Sequence, residues 1–209
     1  MKHLCAASLA TFLWAANGTA LATPVLSVTP ASQTVASAST TRIDLSISGL
    51  GNFLSSSLST FDIFLSYDPA ILSLNNTSIG DPALGDQLDV FGFGTINGVD
   101  TTTPGSVELY DISFDFPSDL NDFQPGAFTL ASLSFNALSA GTSALDITLA
   151  ILGDEYGDAL SADIVNGSIT VQSATSVPEP PTSLLLAAGL GLMLLARSAS
   201  SVRPRRQLA

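Results

Sequence analysis

Two runs of acidic residues are the part of the chain best equipped for chemistry. In the first, Asp111, Asp115, Asp119 and Asp122 recur across Pro117; in the second, Asp154, Glu155 and Asp158 crowd together, with Asp163 beyond. Calcium takes about six to eight oxygen ligands converging from a turn, and aspartate-rich loops between strands supply such oxygens. Neither run has the Asp-x-Asp-x-Asp-Gly spacing of a helix–loop–helix calcium site. Calcium at Asp111, Asp115, Asp119, Asp122, Asp154 and Asp158 is therefore the sharper reading, and solvated turns are the plainer one. No cofactor is expected, calcium apart.

Other chemistries are limited by residue count. The only histidine and the only cysteine are His3 and Cys5, at the extreme N-terminus. A body starting at Thr23 thus has no thiol nucleophile, imidazole base, Cys/His zinc site or disulfide framework. Asp100-Thr101-Thr102 lacks the glycine and the second copy of an aspartic protease motif. A glycosidase would need two carboxylates flanking an aromatic-lined cleft, yet the body has no tryptophan and, as tyrosines, only Tyr67, Tyr110 and Tyr156. We therefore expect no enzyme. Residues 23–176 carry fifteen aspartates, two glutamates, no lysine and Arg42 alone, a net charge of −16. Such a field repels phosphate backbones, so nucleic acid is not an expected partner.

The elements that must position these residues are strands. Ile43, Leu45 and Ile47 alternate with polar neighbours, as do Phe61, Ile63, Leu65 and Tyr67, and again Leu145, Ile147, Leu149 and Ile151; period two marks half-buried strands. Further strands are expected at Val25 to Thr29, Ile71 to Leu74, Leu88 to Phe93, Val107 to Phe116 and Phe128 to Phe135. A closing pair, Leu160 to Val165 and Ser168 to Val171, surrounds Asn166-Gly167, a tight-hairpin signal. Alternation changes parity within 107–116 and within 128–135, which predicts a bulge or a change of sheet in each. Most phenylalanines fall on inward parity and are expected in the core. No stretch has a sustained helical period. The fold class that follows is all-β, a β-sandwich of about nine strands with jelly-roll connectivity favoured over a barrel.

The ends differ from the body. Lys2 and His3, the apolar run Leu4 to Ala16, and Ala20-Leu21-Ala22 read as a secretory signal peptide, residues 1–22, with the peptidase site at Ala20 and Ala22. At the other end, Val177, Pro178, Glu179 and Pro180 precede the apolar run Leu184 to Ala196, Arg197, and the basic group Arg203, Arg205 and Arg206. The run is shorter than the roughly 20 residues that span a bilayer, and it reaches that length over 184–202 only if Arg197 snorkels to the interface. The arginines would stay cytoplasmic and the acidic body outside. A plain C-terminal membrane anchor is the simpler alternative.

This order of Pro-Glu-Pro, short hydrophobic helix and basic tail resembles the PEP-CTERM sorting signal. The resemblance implies recognition and processing by a membrane exosortase in a Gram-negative bacterium that makes exopolysaccharide, biofilm or floc matrix. In the body, Phe61 to Tyr67 followed by Asp68-Pro69-Ala70-Ile71-Leu72 resembles the strand and Tyr-Asp-Pro-x-x-Leu signature of cohesin domains, with Leu26 to Pro30, Gln124 to Phe135 and Ala140 to Ser143 as further matching pieces. The implied organisation is a signal peptide (1–22), a cohesin-like β-sandwich domain (23–172), a linker with the Pro-Glu-Pro motif (173–183), a transmembrane sorting helix (184–202) and a basic cytoplasmic tail (203–209). The implied function is an exported, non-catalytic binding or adhesion module. Its partners would be the exosortase and, transiently, the inner membrane, then a matrix protein or polysaccharide at the cell surface or in the extracellular matrix. A carbohydrate-binding module of the related sandwich superfamily is the alternative.

Overall fold

The computed structural model describes residues 23–173, 186–190 and 193. Eleven strands and one short helix follow in the order β1 (Val25–Thr29), β2 (Ser32–Ala36), β3 (Thr40–Ser48), β4 (Leu58–Ser66), β5 (Leu72–Ile79), β6 (Thr95–Asp100), β7 (Ser106–Ser113), α1 (Pro117–Phe123), β8 (Ala127–Ala137), β9 (Gly141–Asp154), β10 (Asp163–Val165) and β11 (Gly167–Gln172). They form two sheets, one of five strands in the order β10-β1-β3-β8-β5 and one of six in the order β2-β11-β9-β4-β7-β6. The expected β-sandwich is present, with eleven strands instead of about nine. Residues 23–173 belong to one compact unit, and residues 186–190 and 193 to another.

Inward alternation supplies the core. Leu26 and Val28, Ile43, Leu45 and Ile47, Phe61, Ile63 and Leu65, and Leu133 and Phe135 are all buried. The parity change in β8 is a bulge: Leu45 pairs with Ala131 and Ser46 with Thr129, so Leu130 is the extra residue. In β7 the expected bulge is absent. Its register against β4 runs unbroken, and the buried positions stay odd: Val107, Leu109, then Asp111. Tyr110 and Ile112 belong to the opposite face, and the strand ends at Ser113, short of the expected Phe116.

The Asn166-Gly167 hairpin is also not formed. β10 pairs with β1 and β11 with β2, both in parallel, in different sheets. The chain crosses from one sheet to the other at this point, side by side with the crossing at Pro30-Ala31. The Asn166 carboxamide oxygen accepts a bond from the Ile147 N–H at 3.0 Å, and Ser168 N–H donates to Ala31 O at 2.9 Å. A Cβ on Gly167 would stand 2.6 Å from Val28 Cγ1, so close packing, and not a hairpin turn, requires the glycine.

Asp68-Pro69 ends β4 as its chemistry suggests. The Asp68 carboxylate accepts from Ala70 N–H, its carbonyl accepts from Ile71 and Leu72 N–H, and Leu72 returns to the core. Two other expectations fail locally. Residues 88–93 form turns instead of a strand, because their polar contacts are made by carboxylates and not by a neighbouring strand. The helix α1 lacks a sequence period because it has seven residues and buries Leu120 alone; Pro117 starts it and Asp119 lies in its first turn, where a negative charge suits the helix dipole. Residues 186–190 and 193 are helical. No helix among the described residues is long and apolar enough to cross a membrane.

Candidate binding surface

Several carboxylates hold one loop in place. Asp115, nearly buried just after β7, accepts from the backbone N–H of Phe91 at 3.0 Å and of Phe93 at 3.4 Å. Asp89 accepts from Gly94 N–H at 2.8 Å and Asp86 from Leu88 N–H at 2.9 Å. Gly92 and Gly94 take positive φ of 87° and 90°, which lets the loop turn outward between these anchors. Its exposed rings meet others: Phe91 lies 5.6 Å from Phe93 and 5.9 Å from Phe123, and Phe93 lies 5.5 Å from Phe116. These four phenylalanines, with Phe53 and Phe114, are exposed. The expectation that most phenylalanines are core is overturned; Phe61, Phe128 and Phe135 are buried. Strand parity could not place rings that stand on loops and a short helix.

This cluster continues the outer face of the six-stranded sheet. The outward positions of β7, Glu108, Tyr110 and Ile112, lead past the strand end toward Phe114 and Phe116. Ile112 is flanked by Ile96 on β6 and Thr60 on β4, and Tyr110 by Gly98 and Asp62. Asp62 is in turn opposite Ile151, and Phe64 opposite Leu149. Ile96, Ile112, Leu149 and Ile151 are between 44% and 55% exposed. The Tyr110 ring crosses Gly98 so closely that a Cβ there would collide with its hydroxyl oxygen. Both faces of β7 thus carry apolar side chains, Val107 and Leu109 inside and Tyr110 and Ile112 outside, and only the inner ones pack in the core. Among these side chains stand Asp62, Glu108 and Asp100. Partial desolvation and the charges of Asp62 and Asp100 push the Glu108 carboxyl above its ordinary value, and one oxygen of Asp62 is buried without a hydrogen-bond partner.

The six expected calcium ligands are not brought together. Among the described residues, no three His, Cys, Asp or Glu side chains gather to hold a metal. Asp115 anchors the phenylalanine loop, Asp119 sits in α1, and Asp122 is exposed. The Asp154 carboxylate caps its own turn, accepting from the N–H groups of Tyr156 and Asp158. Asp111 is separate and fully buried, with neither carboxylate oxygen hydrogen-bonded. Burial, then the charge of Asp86, push its carboxyl up to about 7.

Glu155, a member of the second acidic run though not one of the expected calcium ligands, fastens three segments. It accepts from Ser55 Oγ at 2.7 Å, Ser57 N–H at 3.1 Å and Asn121 Nδ2 at 3.3 Å. Burial alone would raise its carboxyl, but these bonds outweigh it and hold the group below its ordinary value. Gln124, also buried, donates to Leu58 O and Gln87 O and accepts from Leu58 N–H. Together they fix the loops beneath the phenylalanines. Asp100-Thr101-Thr102 is a turn in which Asp100 accepts from Thr102 N–H.

Ala20, Ala22, Val177, Pro178, Glu179, Pro180, Arg197, Arg203, Arg205 and Arg206 lie outside the described residues. Their segment is matched in sequence: residues 176–206 fit the PEP-CTERM protein-sorting motif. No curated protein matches the chain. Among solved structures, the sixth cohesin of scaffoldin B from Acetivibrio cellulolyticus, determined with a Cel5 dockerin, aligns at a TM-score of 0.57 and 18% identity, covering 72% of this chain and 100% of that one. A non-cellulosomal cohesin from Archaeoglobus fulgidus aligns at 0.54 and 13%, covering 73% and 93%. The cohesin module of a Clostridium perfringens family 33 glycoside hydrolase aligns at 0.52 and 14%, covering 72% and 96%. Identities this low carry the fold alone. The chain is thus a cohesin-like β-sandwich bearing a PEP-CTERM motif, which marks an exported protein sorted by exosortase.

Proposed function

We propose that the sandwich is a non-catalytic protein-binding module that captures its partner on the outer face of the six-stranded sheet. The observation that carries this reading is the set of unpacked apolar side chains on that face, Ile96 beside Ile112 and Tyr110 on β6 and β7, and Ile151 and Leu149 on β9, with Thr60, Asp62 and Phe64 of β4 between them. A contiguous apolar patch rimmed by polar groups is a feature of interaction sites. Asp62, Glu108 and Asp100 within it, on a body with no lysine, favour a partner that brings cationic side chains. A cohesin of similar fold is known with a dockerin bound, a precedent for protein recognition by this architecture.

The reading of the ends completes the proposal. Residues 1–22 direct export and are removed after Ala22; 23–172 bind; 173–183 present Val177, Pro178, Glu179 and Pro180; 184–202 cross the inner membrane; and 203–209 stay cytoplasmic until exosortase processing. The body then works in adhesion at the cell surface or in the exopolysaccharide or biofilm matrix. Glycan binding is the second reading, favoured by the exposed Phe91, Phe93, Phe116 and Phe123. Affinity capture from the matrix of the source cells tests both, with wild type, Ile112→Asp and Phe91→Ala/Phe93→Ala as baits. Loss of one protein with Ile112→Asp supports the sheet face. Retention of a polysaccharide that is lost only with the phenylalanine variant would overturn it in favour of the glycan.

A further inference from the structure

Asp111 presents an unusual electrostatic problem. It sits on β7 between Phe61 of β4 and Asn97 of β6, both neutral. It is 0% exposed, and both of its carboxylate oxygens lack a hydrogen-bond partner. Leaving such a group buried and ionised is costly unless something compensates its charge. The side chains lying against it are the Asp86 carboxylate, which worsens the problem, and the Thr95 hydroxyl, which also approaches Asp86 at 3.3 Å.

In most proteins a buried aspartate is matched by arginine, lysine or histidine. Between residues 23 and 176 the sole basic side chain is Arg42, on β3 in the other sheet, where it is paired with Asp44 at 2.9 Å and bonded to Ser132. Compensation must come from solution, as a proton or a metal ion. One proton shared between Asp111 and Asp86 neutralises a single carboxylate and leaves the pair with one negative charge that no basic side chain of the body meets. A cation draws on both oxygens at once, and Asp86 and the Thr95 hydroxyl beside it are hard oxygen donors too.

We propose that Asp111 and Asp86, with the Thr95 hydroxyl, hold a hard divalent cation of the calcium class at the base of the 86–94 loop. Aspartate oxygens with hydroxyl, carbonyl and water oxygens are the ligand set this class prefers. Asp86 also accepts from Leu88 N–H, so a cation there would tie the loop carrying Phe91 and Phe93 to β7. The site shares Asp111 with the first acidic run of the sequence, but Asp86 lies in neither run, and Asp115, Asp119 and Asp122 play no part.

The test uses the full-length chain in detergent, stripped with a chelator, and follows its thermal unfolding by circular dichroism. Millimolar calcium chloride is compared with sodium chloride of equal ionic strength, for wild type, Asp111→Asn and Asp86→Asn, and bound calcium is counted by elemental analysis. We expect one calcium per chain and a rise in Tm of about 5 °C beyond the salt control, both absent in either variant. Asp86→Asn is partly solvent-facing and keeps the comparison usable if Asp111→Asn folds poorly. Equal shifts with calcium and sodium, or a gain retained in Asp86→Asn, would overturn the site and leave a shared proton as the pair's only compensation.

Discussion

Gly167 and Val28 approach so closely that a Cβ on the glycine would lie 2.6 Å from Val28 Cγ1, with Ala31 O at 3.3 Å. Here the first and last segments of the domain pass together from one sheet to the other. Gly167→Ala forces the β1–β2 and β10–β11 crossings apart. Overpacking of this kind costs ~1–3 kcal/mol, and urea unfolding should show it as a lower midpoint at unchanged slope. A midpoint equal to wild type would mean that the crossings relax freely.

The two faces of β7 should respond oppositely to mutation. Leu109 is fully buried, so Leu109→Ala should cost ~2–5 kcal/mol. Ile112, three residues on, faces outward, and Ile112→Ser should stay within about 0.5 kcal/mol of wild type while reducing partner capture. A large loss of stability from Ile112→Ser would show that the outer row is packed in the folded protein and not available for binding.

Legibility in the sequence follows the same division. Where one face of a strand is buried and the other polar, as in β3, period two located both strand and core. In β7 both faces carry apolar side chains, so the sequence reads as a parity error, though Tyr110, Ile112, Phe114 and Phe116 were the visible signal of an outer apolar row. Asn166-Gly167 looks like a hairpin because local turn chemistry cannot report that β10 and β11 join different sheets. The exposed phenylalanines were misplaced because the loop is shaped by Asp86, Asp89 and Asp115, whose bonds to backbone N–H groups leave no periodic trace. The tail was the most legible part, because its recognition depends on a linear order of residue types.

Glu155 should make stability depend on pH. Its folded carboxyl is held below the ordinary glutamate value of 4.5, so its contribution is present above that value and is lost as the pH falls through the lowered one. Glu155→Gln removes the charge from three hydrogen bonds, each of a kind worth roughly 1.5–3 kcal/mol. The variant should be clearly less stable than wild type at neutral pH, and the gap should narrow as the pH falls below the ordinary glutamate value. Denaturant midpoints at neutral and acidic pH check this; a gap that stays constant would place the effect in packing instead of charge.

The C-terminal segment gives the last prediction. Residues 176–206 match the PEP-CTERM motif, and within them Pro178, Glu179 and Pro180 precede an apolar run of marginal length with Arg203, Arg205 and Arg206 beyond it. Charges at the end of such a run resist transfer through the bilayer, so, under the proposed sorting, the segment would halt the exported chain with the Pro-Glu-Pro element near the outer surface of the inner membrane, within reach of a membrane protease. Replacing Pro178, Glu179 and Pro180 with alanine leaves the export and stop signals in place and removes only the recognition element. A full-length species should then accumulate in the inner membrane while the surface form disappears. Deleting 203–206 removes the stop, so unprocessed chains should escape retention. Mass spectrometry of the wild-type surface protein is decisive: a C-terminus within or just after residues 177–180 is expected, and a surface form still ending at Ala209 would refute processing at this motif.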